Sequence, residues 1–252
     1  PEKTKTIQTK KSTLKSDNKI TTEGIHKTNE TTIIDYKSYD IKIEKNDKDY
    51  NKLKKEIRNK RLQFYNAYKN KKVSLEEIGL EFEKYLVNTI IPHWYGMKWD
   101  YSGYSEVPNK GEVGCSYFVS NTLKHMGLNV NRYKLAQKGP IGEAKSIAID
   151  SLLLIKYIDV KKFTSIKEDI LQLKEGIYFV GLSSHVGYLL KRNEELFFIH
   201  SNYLGDINVT IELAGESAAF TESTDFIIAP LSTNQIFIES WLKNDEIEIY
   251  IN

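Results

Sequence analysis

Apolar positions recur at helical spacing in the first third of the chain and on alternate positions in the last third. Over residues 47–70, Tyr50, Leu53, Ile57, Leu62, Tyr65 and Tyr68 form a ragged stripe that predicts a charged helix. A second helix is signalled at its start. Ser74 followed by Glu77 is a capping box, in which hydroxyl and carboxylate each satisfy a free backbone N–H. Ile78, Leu80, Phe82, Tyr85, Leu86 and Ile90 continue the pattern, and Pro92 ends it. Residues 94–111 are irregular and rich in glycine and aromatics. A helix is predicted over 115–126, stopping at Gly127, and another over 144–158, with a short turn at 169–173. Strands are predicted over 176–182, 185–191, 195–201, 208–212 and 225–229. Helices first and an antiparallel sheet after is an α+β layout.

Composition adds a division of charge. Residues 1–72 hold 20 Lys and Arg against 10 Asp and Glu, and the rest hold 16 against 24. The net charge of +2 therefore conceals a basic end and an acidic remainder. Residues 1–31 are almost devoid of apolar side chains and predict a flexible tail. Residues 32–43 have strand-like composition. The predicted organisation is a polar basic tail over 1–45, a helical region over 46–92 and a catalytic domain over 93–252. The tail reads as a solubilising tether or as an arm for an anionic envelope surface. Its lysines are scattered among Thr, Asn and Asp without a nucleic-acid-binding motif, so no nucleic-acid partner is expected. No apolar run approaches the roughly 18–20 residues of a transmembrane helix. No histidine pair has zinc-site spacing and no glycine-rich phosphate loop occurs, so neither metal nor cofactor is expected.

The chemistry centres on the single cysteine, Cys115. It opens a predicted helix, where free backbone N–H groups and the positive end of the helix dipole favour a thiolate and can serve an oxyanion. The alternative is a small buried residue. Two histidines on strands favour the first reading. His185 opens one strand, and His200 ends the next, with Asn202 on the same face by period-two alternation. A hairpin would bring His185 and His200 together, one to take the thiol proton and the other to orient it. Trp94, Tyr95, Trp99, Tyr101 and Tyr104 crowd one loop, which is either core packing or the wall of a cleft. Gln137 is a further candidate for the cleft. His125 lies in the last turn of the cysteine helix, where a cation suits the dipole. His93 reads as packing, with the cleft as the alternative.

Taken in order, Lys98-Trp99-Asp100-Tyr101, Gly114-Cys115-Ser116-Tyr117-Phe118-Val119, Leu173-Lys174-Glu175-Gly176, His185-Val186-Gly187-Tyr188 and Phe198-Ile199-His200 resemble the motifs of the NlpC/P60 family of papain-like cysteine peptidases. The resemblance covers roughly residues 93–230. It implies a papain-like fold, with the cysteine at a helix N-terminus packed on an antiparallel sheet that carries the histidines. It implies Cys115 as nucleophile, His185 as base, His200 as orienting residue and Ser116 at the oxyanion hole. Trp99 falls where the family usually has a tyrosine, and Tyr101 and Tyr117 fall beside the cleft. The chain departs from the family at Gly114, usually Asp, and at Tyr117, usually Gly. The implied activity is hydrolysis of an amide in peptidoglycan stem peptides, by a monomer outside the cytoplasm whose leader is not part of this chain. The alternatives are an acyltransferase or hydrolase acting on another amide, ester or lipid, and a non-catalytic envelope-binding module.

Overall fold

The computed structural model describes residues 34–45, 48–151, 154–157 and 163–251. The tail expected over 1–31 lies outside them. Asp35–Asn252 form one compact unit. The strand-like stretch at 32–43 is, where described, a 3-10 turn over Tyr36–Tyr39 that Asp35 caps through its side chain.

Helix α1 spans Tyr50–Lys69, with the Asp49 carboxylate accepting from the Lys52 N–H and with Leu53 and Ile57 buried. Helix α2, Leu75–Tyr85, begins with the predicted capping box in both directions. It does not end cleanly. The chain passes through a π turn at Leu86–Ile90 into a 3-10 turn at Ile91–His93, where Pro92 sits in the first positions. That path keeps Leu86, Ile90 and Ile91 in the core. Helix α3, Cys115–His125, starts at Gly114 with no side-chain cap, so its first N–H groups are left for another acceptor.

Two short helices follow, α4 over Arg132–Ala136 and α5 over Gly139–Ala148. The helix expected over 144–158 is therefore two elements. Its first residues finish α5, and Leu154–Tyr157 is strand β1. The turn expected at 169–173 is instead mostly the end of helix α6, Phe163–Leu171. Ile166 and Ile170, one turn apart, are buried in the core cluster under the sheet.

Strands β2 (Gly176–Leu182), β3 (Val186–Arg192), β4 (Glu195–Ser201), β5 (Val209–Leu213) and β6 (Asp225–Pro230) fall close to their expected positions. Helix α7, Ala218–Thr221, joins β5 to β6, and α8, Gln235–Lys243, follows. The six strands pair antiparallel in the order β1-β6-β2-β3-β4-β5. The central strands are buried almost throughout, which is why they read as apolar runs with little alternation.

Helix α3 is the buried centre of the molecule. Phe118 meets the Tyr188 ring of β3 edge-on at 5.9 Å, and Thr122 Oγ1 and the Tyr188 hydroxyl are hydrogen-bonded at 2.7 Å. Each such large side chain contributes about 1.5–3 kcal/mol by leaving water. The N-terminal helices are tied to the same body. Glu83 of α2, buried, accepts from Ser232 Oγ at 2.8 Å and pairs with Arg192 at the end of β3. Trp94 Nε1 donates to the Tyr50 hydroxyl at 2.8 Å.

Candidate active site

Antiparallel pairing of β3 with β4 decides where the histidines go. His185 immediately precedes β3 and His200 lies near the end of β4. Gly187 lets the strands close. A Cβ there would lie 2.6 Å from Phe198 Cε2 and 2.8 Å from the Ile199 carbonyl oxygen, closer than side chains approach. The result is a bond of 2.8 Å between His185 Nε2 and His200 Nδ1. The ring of His200 stacks on Phe198 at 4.0 Å, which fixes its plane.

A third member continues the line. His200 Nε2 is 3.0 Å from Glu212 Oε1 on β5. Burial acts to raise the Glu212 carboxyl, but the His200 bond and charge carry it below its ordinary value. A carboxylate has no proton to give, so His200 Nε2–H is the donor. A neutral His200 then accepts at Nδ1 from His185 Nε2–H, and His185 Nδ1 is left with a lone pair. The relay thus selects the tautomer of His185 that can take a proton. Sequence reasoning missed Glu212. Its only signal was a carboxylate between Ile211 and Leu213 in a predicted strand.

Cys115 and His185 line one cleft of about 680 Å³, together with Trp99, Tyr101, Ser116 and Tyr117. Gln137, Pro140, Ser184 and Tyr203 complete much of the wall. Of the residues singled out from sequence for the cleft, Trp94, Tyr95 and Tyr104 do not line it, and neither does Asn202. Its Oδ1 accepts from the Leu204 N–H at 3.0 Å, which shapes the turn after β4. Tyr203, not foreseen, takes the place beside the histidine, with its ring 4.8 Å from His185 and 6.0 Å from Trp99. Trp99 Nε1 is buried without a hydrogen-bond partner.

The loop before α3 holds Trp99 by strand-like pairing. Trp99 N–H donates to the Ile207 carbonyl, and Met97 and Gly96 exchange bonds with Val209 of β5. The same loop explains Gly114. A Cβ at that position would meet the carbonyl oxygens of Asp100, Tyr101 and Gly103 at 3.2–3.4 Å. A carboxylate-bearing side chain next to Cys115 has no room without moving the loop.

Electrostatics differ from the sequence expectation. Cys115 is only partly exposed. Burial pushes its thiol up, opposed by N–H groups of Val186 and Ser116 and reinforced by Glu143. Burial also holds His185 well below the ordinary imidazole range, and repulsion from His200 adds to this. The resting pair is a neutral thiol and a neutral imidazole, in place of the thiolate predicted from the helix dipole. Desolvation outweighs a dipole effect that is typically about 0.3–1 kcal/mol.

Glu143 of α5 was also missed. It is fully buried, accepts from Ser116 Oγ at 2.5 Å, and its Oε2 has no partner. Burial pushes its carboxyl up to about 8, against the Ser116 bond, so it is protonated at neutral pH. Nothing in the sequence distinguishes it from an ordinary helix glutamate. His125 is not the dipole-stabilised cation expected. Burial, with Lys54, Arg132, Arg58 and Lys124 nearby, pushes it down to about 3, and Nδ1 is bonded to the Tyr50 hydroxyl at 2.9 Å. His93 packs against Tyr50 with ring centroids 5.0 Å apart, away from the cleft. Among the described residues no group of three or more His, Cys, Asp or Glu side chains could hold a metal ion, and no helix is long and apolar enough to cross a membrane.

No family model, curated protein or solved structure matches this chain.

Proposed function

We propose that this protein is a cysteine acyl hydrolase of papain-like, NlpC/P60-type architecture that cleaves an amide or ester. One observation carries the reading. Cys115 at the start of α3 shares a cleft with His185, whose far nitrogen is held by His200 and, through it, by the Glu212 carboxylate. In this reading His185 Nδ1 takes the thiol proton as Sγ bonds to the carbonyl carbon. The developing oxyanion meets the uncapped N–H groups at the start of α3. Glu212 and His200 stabilise the imidazolium that forms. His185 then protonates the leaving amine or alkoxide, and water attacks the thioester to release the acid and regenerate the thiol. The resemblance in sequence supports a cell-wall amide as substrate and a site of action outside the cytoplasm, while the departure at Gly114 leaves the charge of that substrate to be decided by the cleft itself.

The test is hydrolysis of purified peptidoglycan and of an activated acyl ester by the wild type, Cys115→Ala and His185→Ala. Loss of about a thousandfold or more in both variants is expected for a nucleophile and its base. Full activity in Cys115→Ala would dismiss the thiol mechanism and leave a binding role for the cleft.

A further inference from the structure

The cleft contains a base and a nucleophile. Among the described residues, none that lines it is Asp, Glu, Lys or Arg. Of the charged residues adjacent to it in sequence, Asp100 accepts from Ser102 through both its N–H and its hydroxyl. The stem of Lys138 runs over Gly142. Glu143 is sealed beneath Ser116. Position 114, directly beside the nucleophile, carries no side chain, and a Cβ there would sit tightly, 3.2–3.4 Å from the carbonyl oxygens of Asp100, Tyr101 and Gly103.

What the cleft does offer is aromatic surface. Trp99 and Tyr203 line it side by side, and the Tyr203 ring reaches His185. Tyr117 lines it too, its ring held edge-on by Tyr104 and Tyr133, at 6.4 Å and 6.1 Å. Tyr133 is in turn backed by the buried Arg132, 3.8 Å over its ring. Tyr101 stands at the mouth with 90% of its surface exposed.

We propose that the acyl group delivered to Cys115 is uncharged, an acyl ester or amide held against these aromatic faces, and that groups with a free ammonium or carboxylate near the scissile carbonyl are excluded. The proposal rests on the thiol chemistry above and specifies its substrate. A charged group entering this space loses hydration and meets no countercharge. Aromatic faces attract cations, but at partly exposed sites that attraction is weaker than the hydration a primary ammonium gives up. An apolar or planar acyl group loses little and gains contact with the rings. The step balances without a co-reactant. The S–H bond breaks and S–C forms, the C–O or C–N bond breaks, and the leaving group departs with the proton held by His185.

The experiment uses the full chain at pH 7 and paired 4-nitrophenyl esters in which a small neutral cap masks the charge. N-acetylalanyl is compared with alanyl, which carries a free ammonium, and methyl succinyl with succinyl, which carries a carboxylate. Acylation is read as the nitrophenolate burst above that of Cys115→Ala and as the acyl adduct by intact mass. Each rate is divided by that ester's rate with N-acetylcysteine. Both neutral esters are expected to acylate Cys115 at least ten times faster than their charged partners. Equal or faster acylation by a charged ester would overturn the proposal while leaving the nucleophile in place. No Cys115 adduct from any ester would overturn both the proposal and the thiol mechanism beneath it.

Discussion

Replacing Glu143 by glutamine should remove a large part of the protein's loss of stability as pH rises from about 4.5 to about 8. The carboxyl is fully buried, and its value rises from 4.5 to about 8. At about 1.4 kcal/mol for each pH unit, the ionised form costs about 5 kcal/mol in the folded state. The sign follows from where each state releases its proton. Below pH 4.5 Glu143 is protonated whether the chain is folded or not, and nothing is lost. Between 4.5 and about 8 the unfolded chain ionises while the folded one does not, so stability falls as pH rises. Above about 8 both are ionised and the loss is complete. Between pH 5 and pH 8 this one group should therefore lower stability by about 4 kcal/mol, a sizeable share of the roughly 5–15 kcal/mol typical of a domain. Glutamine keeps the oxygen that accepts from Ser116 Oγ and places an amide where the protonated carboxyl has its unpartnered second oxygen. It cannot ionise. Urea unfolding of wild type and Glu143→Gln at half-unit steps from pH 5 to pH 9 should give two curves that diverge by about 4 kcal/mol, with the variant the flatter. Parallel curves would refute the reasoning, since they would mean that Glu143 ionises alike in both states.

Three further outcomes follow from the site. Glu212→Gln removes the charge that sets the histidine tautomers and should lower kcat by about a hundredfold with little change in KM; unchanged kcat would show that His200 orients His185 unaided. Iodoacetamide should alkylate Cys115 more slowly than a free-thiol reference at pH 7, because burial keeps the thiol protonated; faster labelling would mean a resting thiolate. Gly187→Ala would drive a methyl into Phe198 and the Ile199 carbonyl, and should destabilise the fold by about 1–3 kcal/mol and reduce turnover by separating His185 from His200; a thermal melt matching the wild type would count against the close strand contact.

The elements most legible in the sequence are those whose local signals agree with their tertiary setting. The capping box at Ser74 and Glu77, the helix between Cys115 and Gly127, and the strands carrying His185 and His200 are of this kind. Misreadings cluster where local chemistry is ambiguous. The run Leu152-Leu153-Leu154-Ile155 suits a helix or a buried strand equally, and pairing with β6 decides it over 154–157. Gly139 and Pro140 hid the start of α5, although proline is well placed in a first turn. The helical spacing of Ile166 and Ile170 was available and went unused. At the site, the cysteine and two histidines stand out because their types are scarce and chemically pointed. Glu143 and Glu212 do not, because their roles come from burial and from neighbours distant in sequence.

The pairing of the 96–99 loop with β5 has a consequence beyond the cleft. Strand β5 ends the sheet, and its outward N–H and C=O groups would offer a template to any extended chain. Met97 and Gly96 occupy part of that row, and Lys98 bridges to Asn208 beside it. The segment that places Trp99 in the wall of the cleft is therefore also the guard of an aggregation-prone edge. A mutation that loosens it should be seen first as self-association, with lost turnover as its companion, and selection on either property constrains the other.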